Sequence, residues 1–220
     1  MGCYNPKIMI ISYQGLESFK IQFGDIIIAY NPISKDSKFK SIKYGADIAL
    51  SSLNHKDFNG FDMASRGDRM PFVVSGAGEY EIKEVFIKGF GSESEYDGKR
   101  GVNTIYTVAL EGINLCFLGA LSTNEISNET LEALDEIDIL FVPIGGEGVL
   151  DAAHAYKLAV KLEPKLIIPM HYGDVGDKNA LKTFLKEGGE ESSSGVDKLT
   201  IKRKDLDGKE GDIIVLNPSA

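Results

Sequence analysis

The sequence predicts an α/β fold, a four-layer αββα sandwich of two mixed β-sheets. Three observations carry this. The first half of the chain is dense in short β-rich runs. From residue 124 onward, helical and strand patterns alternate. Runs such as "ILFVP" and "LIIPM" are apolar throughout, as strands covered on both faces are. A meander followed by βα units and closing strands places two sheets face to face with helices outside. The 220 residues are read as one domain, long enough for a substantial core.

Taken in order, "KIMIIS" (7–12), "SFKIQF" and "DIIIAY" (25–30) open the series, with Gly24-Asp25 as the turn between the last two. "DIALSS" (47–52), "PFVVSG" (71–76) and "YEIKEVFIKG" (80–89) are each read as one strand. The polar, glycine-bearing run 91–101 is read as a mobile loop. "NTIYTVAL" (103–110) and "INLCFLGA" (113–120) flank the tight turn Glu111-Gly112. Helices follow at 127–137, with Ser127 or Asn128 as N-cap, at 150–164, capped by Asp151 and ended near Pro164, and at 177–189. Strands at 138–143 and 165–171 lie between them, and "KLTIK" and "DIIVL" close the chain after the link "EESSSG".

Charge and composition exclude several classes. A formal charge of −9 opposes a phosphate-backbone footprint, so no nucleic-acid partner is expected. No run approaches a membrane span, and "KIMIIS" is too short for a signal-peptide core, so a cytoplasmic protein without a membrane partner is expected. Cys3 and Cys116 make neither a disulfide framework nor a zinc knuckle. His154, off the apolar stripe of its helix, is read as exposed.

A hydrolytic metal centre needs several imidazoles and carboxylates converging on an ion with a position left open for water. Three strand ends carry suitable polar groups: "LNHKDF", "LGAL" and "PMHYGD". At these positions, with "IIAYNP", "GAGEYEI", "RGVNTIY" and "EPKLIIPMHY", the chain resembles the metallo-β-lactamase-fold superfamily. The branch is that of L-ascorbate-6-phosphate lactonase-like and zinc-dependent hydrolase proteins. The likeness runs from about residue 8 to 172 and implies a dinuclear metal site.

The ligands the resemblance implies are only partly present. In its first motif, Thr-His-x-His-x-Asp-His, this chain has Ser52, Leu53, Asn54, His55, Lys56, Asp57 and Phe58. The histidine expected before Arg100-Gly101 is absent, Ala120 stands for the bridging carboxylate, and Asn31 stands for the Asp of an Asp-Pro pair. His55, Asp57 and His171 remain as metal-ligand positions. The leading expectation is a binding or interaction module without dinuclear zinc chemistry and without a cofactor. Its partner would be a small molecule or a protein, with homo-oligomerisation left open. The alternative is a metal-dependent hydrolase with one zinc or manganese ion on that trio, acting on a small ester, lactone or phosphate-bearing compound. The glycine-bearing loop 144–151, ahead of a helix, borders the site in this family.

Overall fold

The computed structural model describes residues 8–134, 136–190 and 193–219. Among the described residues, thirteen strands form two mixed sheets. The first sheet is built from β1 (Met9–Gly15), β2 (Ser18–Phe23), β3 (Ile26–Tyr30), β4 (Ile48–Leu50) and β5 (Phe72–Val74), with β12 (Leu199–Ile201) outside β1. Its order is β12-β1-β2-β3-β4-β5, antiparallel as far as β3 and parallel beyond it. The second sheet contains β6 (Gly78–Ile82), β7 (Val85–Ser94), β8 (Gly101–Leu110), β9 (Ile113–Phe117), β10 (Ile139–Pro143), β11 (Leu166–Met170) and β13 (Asp212–Ile213). Its order is β13-β11-β10-β9-β8-β7-β6, parallel from β13 to β9 and antiparallel from there to β6.

Side-chain alternation explains how the sheets meet. Phe19 and Tyr30 from the first sheet face Phe117 and Phe141 from the second. Tyr30 stacks on Phe117 at 4.5 Å between ring centroids, and Phe19 meets Phe141 edge-on at 4.8 Å. Such ring pairs add about 0.5–1.5 kcal/mol each beyond the area they bury. A polar strap joins the sheets near one end. The Tyr106 hydroxyl donates to the Ser51 carbonyl at 3.0 Å and accepts from the Gly76 amide at 2.8 Å.

Helices α1 (Asn128–Ala133), α2 (Ala152–Leu162) and α3 (Ala180–Glu187) follow the βα pattern of the second half. Ser127 caps α1 and Asp151 caps α2, each accepting a backbone amide three residues on. The α2 stripe Ala155, Leu158 and Ala159 is buried, and Tyr156 meets Phe184 of α3 edge-on at 5.7 Å. The His154 side chain is exposed and bonds Asp151 at 2.7 Å. The fourth layer is thin. Over the outer face of the first sheet lies a 3₁₀ turn, Phe61–Ala64, with Ala29, Ala46, Ala49 and Ala64 packed together. Small side chains let that turn approach closely.

Two expectations change. The run 80–89 is a hairpin and not one strand, because Lys83 and Glu84 both take positive φ and pair Ile82 with Val85. The two ends of the polar run 91–101 are paired, since β7 and β8 continue their ladder to Ser94↔Gly101. Its tip, Tyr96–Gly98, is one 3₁₀ turn that carries Tyr96 into the interior. Among the described residues, no helix is long and apolar enough to cross a membrane.

Candidate metal centre

The segment after β4 turns tightly. The Phe58 and Asn59 amides both donate to the His55 carbonyl, at 2.8 and 3.0 Å. This turn sets His55 and Asp57 side by side, Nδ1 to Oδ2 at 3.4 Å. The Asp57 amide donates to His55 Nδ1 at 3.2 Å, which makes that nitrogen an acceptor and assigns the ring proton to Nε2. The close Nδ1–carboxylate approach is therefore a contact and not a hydrogen bond. Nε2 lies 3.9 Å from Asp97 Oδ2, beyond hydrogen-bond reach.

Asp57 is nearly buried, and both carboxylate oxygens are taken. The Ser37 hydroxyl donates to Oδ1 at 2.6 Å and the Tyr96 hydroxyl to Oδ2 at 2.8 Å. Burial, followed by the bond to Asp57 and the nearby charges of Asp57, Glu17 and Asp97, pushes the Tyr96 phenol well above its ordinary range. It stays a neutral donor. Its ring meets Phe58 edge-on at 4.7 Å, His55 at 5.2 Å and His171 at 5.9 Å. Tyr96 thus touches both the His55–Asp57 pair and His171. Around it, Leu16, Ile33, Phe58, Ala120 and Val149 form an apolar cluster, with Leu53, Phe39 and Val175 against its rim.

His171 follows β11 with φ +60°, and its amide donates to the Leu16 carbonyl at 2.6 Å. Its Nδ1 pairs with Glu17 Oε1 at 3.0 Å; both side chains are buried. Desolvation pushes the Glu17 carboxyl up, while the hydrogen bond and charge of His171 and the Asn31 amide act against that. Asn31 donates to Glu17 at 3.3 Å and to the Ser52 hydroxyl at 2.9 Å, and accepts the Ser52 amide at 2.8 Å. Packing is tight. A Cβ added at Gly145 would meet the His171 carbonyl at 2.2 Å, and one at Gly119 would meet Ser52 at 2.4 Å.

Of the sequence-predicted trio, His55 and Asp57 come together, and His171 shares with them a contact to Tyr96. Among the described residues, no three His, Cys, Asp or Glu side chains group as a metal site requires. Each Asp57 oxygen accepts one hydrogen bond, and apolar side chains stand at 53, 58 and 120, so the residues present do not fit the dinuclear site that the resemblance implies. Sequence reasoning missed Glu17, Ser37 and Tyr96. The available signal was Tyr96 itself, one aromatic residue in an otherwise polar run.

A cleft of about 620 Å³ opens over this assembly, with Tyr96 and His171 among its lining residues. The class is that of a metallo-β-lactamase sandwich with its candidate centre at the strand ends. The family model described as a beta-lactamase superfamily domain matches residues 10–171, and the chain belongs to that family. It is similar to a protein of Listeria innocua named a metal-dependent hydrolase, 27% identical over 74% of this chain and 85% of that one. A Thermotoga maritima structure, described as a candidate zinc-dependent hydrolase of the metallo-β-lactamase superfamily, aligns with a TM-score of 0.73 and 27% identity. That alignment covers 94% of this chain and 98% of the other. A candidate metal-dependent hydrolase of Parabacteroides distasonis, 18% identical, shares the fold with a TM-score of 0.66 over 96% of this chain and 94% of that one.

Proposed function

We propose that this chain is a metallo-β-lactamase-fold binding module that uses the strand-end cleft to hold a small molecule. The observation that supports it most directly is Tyr96. Its hydroxyl donates to Asp57 and its ring contacts both His55 and His171. Fold alone does not carry activity, so the site decides. Metal analysis of protein purified without chelators tests the reading. Substoichiometric metal is expected; one equivalent of zinc, manganese or iron overturns it.

A second reading, a hydrolase with one metal ion, draws on the names of the relatives and on the adjacency of His55 and Asp57. Under it, His171→Ala abolishes metal content and ester or lactone hydrolysis together. Under the binding reading there is neither to abolish.

A further inference from the structure

We propose that the cleft takes a small dipolar compound, one with an anionic and a cationic group on a short body. This rests on the binding-module reading above and adds the class of ligand. The volume, about 620 Å³, is that of a small-molecule pocket.

The walls come from different sheets and carry different charge. Lys38 and Lys40 belong to the connection between β3 and β4 of the first sheet. Asp97, Glu147 and Asp174 belong to the β7–β8 hairpin and to the loops after β10 and β11 of the second. Lys38, Lys40, Glu147 and Asp174 are exposed and enter no ion pair among the described residues. Opposite charges therefore line one cleft without closing on each other. Phe39 and Val175, packed against the apolar cluster, lie along its wall.

The buried lining supplies an independent observation. His171 lines the cleft, is 3% exposed, and has Nδ1 tied to Glu17. Its Nε2 makes no hydrogen bond among the described residues and is not one of the sealed polar atoms left unsatisfied, so this edge of the ring is open to the cleft. An imidazole nitrogen so placed can donate to or accept from a ligand group. A simple anion would meet the lysines but also three carboxylates within a Debye length or so. A simple cation meets the reverse. A compound with both charges finds a complement at each wall.

Calorimetric titration of the chelator-treated full chain with phosphoethanolamine, ethanolamine and inorganic phosphate tests this. Phosphoethanolamine is expected to bind about tenfold tighter than either fragment, a difference of about one decade in Kd. Lys38→Ala with Lys40→Ala should remove that advantage on the phosphate side, and Glu147→Gln with Asp174→Asn on the amine side. All four residues are exposed, so folding is preserved, and unchanged thermal midpoints check this. Equal affinity for the three probes, no binding of phosphoethanolamine, or full affinity in both double variants overturns the dipolar class. Such a failure in metal-free protein leaves the binding-module reading standing. Binding that appears only after zinc is added overturns that reading instead.

Discussion

Replacing Tyr96 by Phe removes one oxygen and keeps the ring, so it isolates what the hydroxyl does. The ring contacts to Phe58, His55 and His171 persist, and the lost bond is the 2.8 Å donation to Asp57. The acceptor is a carboxylate only 3% exposed, so water replaces the donor poorly. Hydrogen bonds to charged groups are worth about 1.5–3 kcal/mol, and that range is the expected loss. For a chain of this size it corresponds to roughly 3–12 °C in midpoint. Urea denaturation at neutral pH measures it, with an unchanged slope marking an unchanged unfolded state. The Asp57→Asn background should absorb much of the effect, since the two residues share one bond. A loss below about 0.5 kcal/mol, the size of an ordinary surface change, would refute the view that Tyr96 holds Asp57 in place of a metal ion.

Other consequences are checkable with similar means. Burial raises the Asp47 carboxyl, but the hydrogen bond from Lys83 at 2.6 Å, the Ile27 amide and the Lys83 and Arg66 charges outweigh it and hold the group below its ordinary value. Its contribution is therefore present above the ordinary carboxylate range and lost as pH falls through the folded value. Asp47→Asn should lower stability at neutral pH by about 1.5–3 kcal/mol, and the gap to the parent should shrink below about pH 4. Burial pushes the Cys116 thiol up to about 12. In a Cys3→Ser background, a thiol reagent at pH 8 should leave native protein unmodified and label it only on unfolding.

Much of the fold was legible because strand patterns here are simple. "ILFVP" is apolar at every position since both faces of β10 are covered, and Gly24-Asp25 marks its hairpin by composition. The β6–β7 turn was not legible. Lys83-Glu84 contains no glycine or asparagine, so composition gives no turn signature, and the β-rich run shows one strand where there are two. The site was legible only as a set of positions. His55 and Asp57 are neighbours in sequence and meet. Glu17 lies 154 positions from His171 and Tyr96 39 from Asp57. Pairings at such distances depend on how the sheets stack, which residue types alone do not specify. Tyr96 also sits in a polar tip whose composition signals exposure, and one tight turn reverses that.

The replacements at the strand ends make sense together. Clustered carboxylates tolerate one another when cations sit between them, and without cations each must find neutral or positive partners. Here Ala120 and Asn31 stand where the resemblance implies carboxylates, and the two acids left inside, Asp57 and Glu17, are satisfied by Ser37, Tyr96, His171 and Asn31. Restoring a single ligand type should therefore harm the protein. Ala120→Asp puts a carboxylate at a position 0% exposed, inside a cluster of Leu16, Ile33, Phe58 and Val149. A buried charge left without a partner costs about 3–5 kcal/mol, and that is the expected destabilisation. Its pH dependence has a definite sign. The group titrates high in this setting, so the variant should recover stability as the solution is acidified toward neutralisation of the new carboxyl. Zinc separates the two readings of the site. If His55, Asp57 and His171 can still close on an ion, added zinc should restore the midpoint of Ala120→Asp by mass action. If Tyr96 and its apolar neighbours have taken that space, zinc leaves the midpoint where acidification alone had moved it.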